Sequence, residues 1–355
     1  MKIAVIGLGG MGGTVVEHLK EIDIVTAITG YDISAENAAE KKAKYQIEIA
    51  ANLEQILADS EVKAAFVTAS NDAHKPVVMK LIEAGIPIMC EKPMATTLSD
   101  AEEMVEAAKR KNLFFQIGFE LRYSKLYTTI KDWIDAGLLG DIINTECNYI
   151  CSEFHGKGSW RNKKATGGGM FGEKLSHYVD LPRWWVGSPV TEVHSVCAPN
   201  LVPYYEVHDN YYTTYRFENG AVSHMTFMMA VGAKFDGDPL LNVINQQIGD
   251  GHCLRFMVVG TKGAADTDVF GRHIKRWEFT NPPEGFTSKW VENLTWSVDE
   301  DDRYFHSTFD QTKDIIRRIA EGLEPMTPAS DALETMKLVF AAEESADSGK
   351  IVRLR

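Results

Sequence analysis

Four short motifs between Met1 and His177 contain the residue types that a single redox reaction requires. A glycine-rich turn can hold a dinucleotide, a carboxylate can bind its ribose, an ammonium group can polarise an oxygen, and an imidazole can accept a proton. Each motif alone is ambiguous, but the four together predict hydride transfer. They are Gly7-Leu8-Gly9-Gly10-Met11-Gly12, Asp32, Glu91-Lys92-Pro93, and Gly167-Gly168-Gly169 followed by Glu173 and His177.

The glycine-rich motif lies between a short apolar segment, residues 3–6, and a predicted helix, residues 14–20. This strand–turn–helix context is what a dinucleotide-binding fingerprint requires. Gly7 allows a tight turn, Gly9 lets the backbone approach a pyrophosphate, and Gly12 lets the helix pack closely on the strand. The N–H groups at the start of the helix can then bind the phosphates. The motif therefore predicts a dinucleotide site.

Asp32 follows the second predicted strand, residues 24–29, about twenty residues after the glycine-rich motif. A carboxylate in this position hydrogen-bonds a ribose 2′-OH and repels a 2′-phosphate. The sequence therefore favours NAD as the cofactor. NADP is the weaker alternative, for which Lys41 or Lys42 would have to bind the phosphate.

Ser70, Asn71 and His74 follow the next predicted strand, residues 64–68. Ligands of open α/β sheets bind at the carboxyl ends of the strands, so we predict that these side chains contact the cofactor. Ser70 or Asn71 can also cap the helix predicted at residues 76–83, and the two roles are compatible.

Glu91 and Lys92 occupy the corresponding position after the strand predicted at residues 86–90. There the Lys92 ammonium group would polarise a hydroxyl or carbonyl oxygen of the substrate and lower the pKa of a neighbouring group. The alternative interpretation of Lys92 is a solvated loop residue.

Three consecutive glycines, residues 167–169, precede Glu173, His177 and Asp180. Glycines let the backbone pass close to a ligand, and residues four apart on an α-helix share one face. Glu173 would then orient the His177 imidazole and stabilise the protonated form that it reaches on accepting a proton, the arrangement that a general base needs near neutral pH. Without the dinucleotide motif, the same residues would be interpreted as a surface ion pair. No metal site is predicted, because neither this spacing nor Cys151 with His155 fixes a third ligand.

The bulk composition predicts a two-domain globular protein. A chain of 355 residues exceeds the size of a single hydrophobic core. Its net charge of -13 argues against a nucleic acid or an anionic membrane as partner. Neither a signal peptide nor an apolar segment of membrane-spanning length is predicted. The 5 cysteines include no CxxC pair, which predicts reduced thiols in a cytoplasmic protein.

Strand and helix patterns alternate up to residue 121, which predicts a Rossmann-type, doubly wound parallel sheet in domain 1–121. In this domain a helix is also predicted at residues 35–45, and Ser99 with Glu102 predicts a capping box for a helix ending near residue 111. Domain 122–355 is predicted as α+β, with a large, mostly antiparallel open sheet and C-terminal helices that can pack on the first domain. Its predicted strands are residues 142–150, 191–198, 210–217, 221–230 and 254–259.

These motifs resemble, in order and spacing, the glucose–fructose oxidoreductase/inositol dehydrogenase (Gfo/Idh/MocA) family over nearly the whole chain. Segments 217–221 and 259–263 resemble the later sheet of that family. The other residues that carry the resemblance are the glycine-rich motif, Ser70-Asn71 with His74, Glu91-Lys92-Pro93, Gly118-Phe119 with Arg122, Trp160-Arg161, and His177 with Asp180.

The resemblance implies a nicotinamide cofactor in the first domain, a substrate held between the domains, and dimers or tetramers built on the open sheet. It implies that His177 takes the proton of a ring hydroxyl, with Lys92 orienting that oxygen. Glu173 stands where the family usually has aspartate, so it either pairs with His177 or contacts the substrate. Further contacts to cofactor or substrate are implied for Arg122, His155, Trp160, Arg161 and Asp180.

Three functions are compatible with this pattern. The first is an NAD-dependent dehydrogenase that oxidises a secondary ring hydroxyl of a cyclitol or pyranose sugar to a ketone or lactone. The second is a glycoside-cleaving enzyme that recycles a tightly bound NAD. The third is a non-catalytic NAD(P)-sensing regulator, against which the presence of both Lys92 and His177 argues.

Overall fold

The computed structural model describes residues 1–229 and 252–354. The chain divides into two units, which are described separately. The first consists of Met1–Glu120, Ala165–Gly168 and Thr308–Lys337, and the second of Leu121–Lys164, Gly169–Ser307 and Leu338–Arg355.

The first unit begins with alternating strands and helices. Its strands are β1 (Lys2–Ile6), β2 (Ala27–Tyr31), β3 (Glu48–Ile49), β4 (Val62–Val67), β5 (Ile88–Cys90) and β6 (Phe115–Ile117). Its first helices are α1 (Gly10–Lys20), α2 (Ala35–Tyr45), α3 (Leu53–Leu57), α4 (His74–Ala84) and α5 (Leu98–Arg110). The six strands pair in parallel in the order β3-β2-β1-β4-β5-β6.

This parallel sheet confirms the predicted Rossmann-type fold. Its central strands are buried on both faces, as helices on both sides of a sheet require. Because all six strands run in one direction, their carboxyl ends lie along the same edge of the sheet. The turns that follow β1, β4 and β5 therefore share that edge.

The second unit contains a larger sheet, which has nine strands within the described residues. They are β7 (Ile142–Cys151), β8 (Val190–Val196), β9 (Asn210–Phe217), β10 (Val222–Met229), β11 (Cys253–Gly260), β12 (Gly263–Asp268), β13 (His273–Thr280), β14 (Thr287–Thr295) and β15 (Val352–Arg353). Their order is β14-β13-β12-β11-β7-β10-β9-β8-β15, and only β7 and β10 pair in parallel. This confirms the predicted mostly antiparallel sheet.

One face of this sheet is covered by helices. The helices not yet named are α6 (Lys125–Asp135), α7 (Lys164–Gly167), α8 (Ser176–Val186), α9 (Asp301–Tyr304), α10 (Thr308–Glu321) and α11 (Ala329–Ser348). Of these, most of α7, all of α10 and residues 329–337 of α11 belong to the first unit. On the covered face, Tyr127 of α6, Trp185 of α8 and Phe256 of β11 meet with ring centroids 5.1–6.0 Å apart. Residues alternate between buried and half-exposed along β9 and β10, which is why their period of two was readable from the sequence.

Several predicted boundaries are corrected by the structure. Helix α1 already begins at Gly10, and α5 is capped by Thr97, whose side chain accepts from the N–H of Asp100, rather than by Ser99. The hairpin strands β12, β13 and β14 were not predicted. The last residue of the strand predicted at residues 221–230, Ala230, lies outside the described residues. Within the described ranges, no helix is long and apolar enough to cross a membrane.

Candidate active site

Four glycines of the motif after β1 have two different surroundings. Gly7 has a φ of +95°, and a Cβ there would lie 2.5 Å from the backbone nitrogen of Ala69. A Cβ on Gly12 would overlap the carbonyl oxygen of Gly7. A Cβ on Gly9 or Gly10, in contrast, would meet no atom of the described residues within 4 Å. The first pair is required by packing, and the second pair leaves the open space that a pyrophosphate needs.

Asp32 follows β2 and lies directly beside this turn. Its Oδ2 accepts the N–H of Leu8 at 2.6 Å, and its Oδ1 accepts the N–H of Ser34 at 2.7 Å. Within the described chain, no side chain caps the N-terminus of α1, where Met11 is exposed. The carboxylate and the helix terminus therefore fit the ribose and phosphates of a dinucleotide.

Asn71 and His74, which follow β4, hold backbone segments together. The Asn71 amide donates to the carbonyl oxygen of Gly167 at 2.9 Å, and the Ser70 side chain makes no capping hydrogen bond to the turn that precedes α4. His74 is fully buried, with its ring nitrogens 2.8 Å and 3.2 Å from the carbonyl oxygens of Pro93 and Ala69. Burial lowers the pKa of His74, although both carbonyl contacts oppose this. Among the residues that the structure describes, no side chain caps helix α4, so the capping role predicted for Ser70 or Asn71 is wrong.

Lys92 follows β5, and its half-buried side chain starts from the same edge of the sheet as the glycine-rich turn. The adjacent Glu91 carboxyl packs on Gly118, where a Cβ would lie 2.9 Å from its Oε2. Burial and repulsion by Glu120 raise the pKa of Glu91 to about 8, and Lys92 acts in the opposite direction. The Lys92 backbone N–H donates to Glu91 Oε2 at 3.2 Å.

The glycines before His177 are needed for packing within the protein. A Cβ on Gly168 would lie 3.2 Å from the Cα of Thr96, and a Cβ on Gly169 would overlap the carboxylate of Glu343. Both glycines also have a positive φ, +81° and +101°, which a side chain rarely adopts, and the close passage of a ligand there stays a prediction. His177 itself is buried, as the second residue of α8.

Glu173 lies in a π-helix, Phe171–Leu175, that continues directly into α8. A π-helix hydrogen-bonds over five residues rather than four. The pairing of Glu173 with His177 stays a prediction. The structure brings an arginine and a histidine side chain to Glu173. Arg161 Nε donates to its Oε1 at 2.8 Å, and His155 Nε2 lies 3.1 Å from its Oε2. The Arg161 guanidinium is 4.5 Å from the centroid of the Trp160 ring.

Arg122 and Asp180 form a buried bidentate ion pair. Arg122 Nε donates to Asp180 Oδ2 at 2.6 Å, and Nη2 donates to Oδ1 at 2.7 Å. Their side chains are only 6% and 1% exposed. Arg183, one turn along α8, is 3.8 Å from Asp180 Oδ1. This arrangement gives the pair a structural role, and the ligand contacts of Arg122 and Asp180 stay a prediction.

Two charged groups near Glu173, Glu153 and Lys174, make contacts that were not predicted from the sequence. Glu153 Oε1 accepts the Tyr205 hydroxyl at 2.6 Å and the N–H groups of His155 and Gly156. Burial raises the pKa of Glu153, but these hydrogen bonds outweigh it and the net shift is downward. The Lys174 ammonium lies 4.7 Å from the Phe154 ring centroid. No periodicity or motif marks the contacts of Glu153 with Tyr205 and of Lys174 with Phe154, which join separate segments of the chain.

Both units of the chain contain segments that match models of known protein families. Residues 1–119 match the family model described as an oxidoreductase family with an NAD-binding Rossmann fold, and residues 127–266 match its GFO/IDH/MocA C-terminal domain. The chain belongs to the Gfo/Idh/MocA oxidoreductase family. It is thus an NAD(P)-dependent oxidoreductase, and NAD is its cofactor.

Similar proteins align over the full length of this family member. A myo-inositol 2-dehydrogenase of Thermotoga maritima is 24% identical, over 100% of this chain and 98% of its own. Levoglucosan dehydrogenase in complex with NADH and levoglucosan has a TM-score of 0.80 at 20% identity, with 99% of both chains covered. GenD2 from gentamicin A biosynthesis, in complex with NAD, has a TM-score of 0.80 at 20% identity, covering 100% of this chain and 96% of GenD2.

The two kinds of glycine in the cradle of this Gfo/Idh/MocA protein are expected to respond differently to alanine. In Gly9→Ala the methyl group meets no atom of the described residues within 4 Å, so the melting temperature should stay unchanged, while NAD affinity falls about tenfold, or about 1.4 kcal/mol. In Gly12→Ala the methyl group overlaps a carbonyl oxygen, and unfolding should be easier by about 1–3 kcal/mol. Calorimetric NAD titration and thermal melts measure both effects. Unchanged NAD affinity in Gly9→Ala would contradict the assignment of the cradle.

Removal of Asp180 is expected to destabilise the protein, because it leaves the Arg122 guanidinium buried without this partner. We expect Asp180→Ala to lower the free energy of unfolding by about 3–5 kcal/mol, measured by urea denaturation. The exposed pair Glu334–Lys337 provides a control, since Glu334→Ala should change the same free energy by less than about 1 kcal/mol. Similar small effects at both positions would show that the buried pair is not structural.

Proposed function

We propose that this protein oxidises a secondary ring hydroxyl of a cyclic polyol, either an inositol-type cyclitol or a pyranose sugar, to a ketone or lactone. His177 is the general base and Lys92 orients the hydroxyl oxygen. The observation that carries this proposal is the position of Lys92 at the carboxyl end of β5, on the sheet edge that also holds the glycine-rich turn and Asp32. An ammonium group at the edge of the sheet where the cofactor would bind suits hydride transfer better than nucleotide binding alone.

The chemistry is divided between the cofactor and the side chains. When bound, the nicotinamide supplies the hydride acceptor. The neutral imidazole of His177 takes the hydroxyl proton, and the Lys92 ammonium stabilises the negative charge that grows on the oxygen. Gly9, Gly10 and the N-terminus of α1 hold the phosphates, and Asp32 binds the ribose.

The substrate class rests on the relatives and on the groups around Glu173. A full-length relative is named a myo-inositol 2-dehydrogenase, and a structural neighbour was solved with levoglucosan. Trp160 and Phe154 lie close to the Arg161 and His155 side chains that bind Glu173. Aromatic faces beside charged hydrogen-bonding groups suit a ring with one apolar face and several hydroxyls.

The test is a panel of inositols, aldoses and glycosides assayed with NAD by absorbance of NADH. Stoichiometric NADH formation with at least one free polyol is the expected result. Turnover of a glycoside without net NADH would instead favour the glycoside-cleaving alternative with recycled cofactor. NAD binding without turnover of any compound would favour the regulator.

We further propose that copies associate through the face of the large sheet opposite α6 and α8 and that the protein acts in the cytoplasm. Val196, Tyr212 and Thr226 are cross-strand neighbours on this face, where Val196 and Tyr212 are 44% and 39% exposed. The 5 cysteines are not disulfide-bonded, as expected in a reducing compartment. Sedimentation of Tyr212→Glu beside wild type tests the association. An unchanged molar mass would refute this surface.

A further inference from the structure

Glu343 is a buried carboxyl group near the C-terminal end of α11, outside every motif of the family resemblance. Its side chain belongs to the second unit and is only 8% exposed as a residue. Oε1 accepts the backbone N–H of Phe171 at 3.0 Å, and Oε2 accepts the hydroxyl of Tyr211 at 2.9 Å. Acidic side chains are rarely buried to this degree without a specific role, so the two contacts call for an explanation.

The first contact is at the beginning of the π-helix that carries Glu173. The N–H groups at a helix N-terminus have no partner within the helix, and they favour a negatively charged or polar acceptor. Here the acceptor comes from a helix more than a hundred residues later in the chain. Two residues after Phe171, the N–H of Glu173 donates to the carbonyl oxygen of Gly169 at 3.0 Å. The turn at Gly169 is therefore joined to Glu173 by a backbone hydrogen bond.

Glu343 and Gly169 are also sterically matched. Gly169 has a φ of +101°, and any side chain at this position would overlap Glu343 Oε1. The carboxylate thus occupies the space that the missing side chain leaves, and it determines where the turn can lie. Glycine at position 169 suits both this positive φ and the space that the Glu343 carboxylate occupies.

The second contact anchors the carboxylate to the sheet. Tyr211 of β9 is fully buried, and its ring packs edge-to-face on Phe171 with the centroids 4.5 Å apart. Tyr211 therefore touches both the carboxylate and the residue to which the carboxylate is bound. Burial raises the pKa of Glu343, although the hydrogen bonds from Phe171 and Tyr211 act against this.

We propose that Glu343 is a positioning residue, which fixes the Gly169 turn and thereby the orientation of Glu173 and His177. The inference rests on the proposed function, because it assigns Glu343 a role through a histidine that we propose as the general base. Glu343 takes no part in proton transfer. Its effect is geometric, and misplacing a catalytic group by about 1 Å can lower turnover 10²-fold.

The test compares Glu343→Ala, Glu343→Gln and Glu344→Ala in the full-length protein. Glu343→Ala should lower kcat about 10²-fold, with the NAD dissociation constant unchanged because the NAD cradle is in the first unit. In Glu343→Gln the amide oxygen can still accept the Phe171 N–H, so kcat should return to within about threefold of wild type. Glu344 is exposed on the same helix, and Glu344→Ala should have no effect. A near-normal kcat in Glu343→Ala overturns the proposal.

A second measurement does not depend on turnover. Hydrogen exchange of a peptide that covers residues 169–177 should be faster in Glu343→Ala, and it should be unchanged in Glu343→Gln. Unchanged exchange in Glu343→Ala overturns the positioning role even if wild type turns over no polyol, which would refute only the proposed function. If Glu343→Ala does not fold, Tyr211→Phe removes one of the two contacts. Tyr211→Phe should then lower kcat less than is expected of Glu343→Ala, and hydrogen exchange of the same peptide should be faster. Wild-type kcat together with wild-type exchange in Tyr211→Phe would overturn the proposal.

Discussion

Replacement of His177 by alanine is expected to lower kcat by about two to four orders of magnitude, the usual contribution of a general base. The alcohol proton would then have to leave to water while the hydride departs, which raises the barrier. NAD affinity should stay within about twofold, because the cradle residues belong to the first unit. The measurement is steady-state NADH formation with the best polyol of the panel, together with an NAD titration.

Two further variants separate chemistry from folding. His177 is buried, so alanine also removes volume, whereas His177→Gln keeps most of the side chain but cannot accept a proton near neutral pH. It should be as inactive as alanine. His194 is exposed on β8, and His194→Ala should retain full activity. Near-normal kcat in either His177 variant would exclude this histidine as the base.

Lys92→Met is expected to lower kcat by about two to three orders of magnitude, the usual effect of losing one group that stabilises developing charge. Methionine keeps the length of the side chain but has no ammonium group to orient the hydroxyl. The exposed Lys109 of α5 provides the control, because Lys109→Met changes the net charge equally without touching this edge of the sheet. If Lys92→Met kept more than about a third of wild-type kcat, the proposed role of Lys92 would be lost.

Lys92→Met should also change the pH dependence of stability through Glu91. The pKa of Glu91 is raised from 4.5 to about 8, so its stabilising contribution is complete below pH 4.5 and is lost as pH rises through 8. Lys92 lowers this pKa, and its removal should shift the loss to higher pH. Glu91→Gln should abolish this part of the profile. Thermal melts between pH 5 and 10 measure the shift, and identical profiles for wild type and Lys92→Met would contradict the coupling.

The NAD-binding fold was predictable from sequence because its determinants are local. A buried strand, a glycine turn and a helix follow one another within twenty residues of the N-terminus, and the periodicities of strand and helix are visible there. The fold class of the second unit was also predictable, since alternation along β9 and β10 reflects one buried face. Strands β12 to β14 were missed.

The surroundings of Glu173 were not predictable. The spacing of Glu173 and His177 assumed an α-helix, whereas the segment begins as a π-helix at the turn that Glu343 contacts. No pattern near residue 173 reveals a carboxylate on a helix at the other end of the chain. The same holds for Arg161 and His155, which reach Glu173 from a preceding loop.

The sequence by itself determined the fold class, the family and the cofactor, because these depend on residue types at fixed local spacings. Only the tertiary structure decided that Arg122 and Asp180 neutralise each other, that His74 lies between two carbonyl oxygens, and that Gly169 is required by packing. These are contacts between segments distant in sequence. Their partners follow from how buried surfaces fit together, which spacing along the chain does not encode.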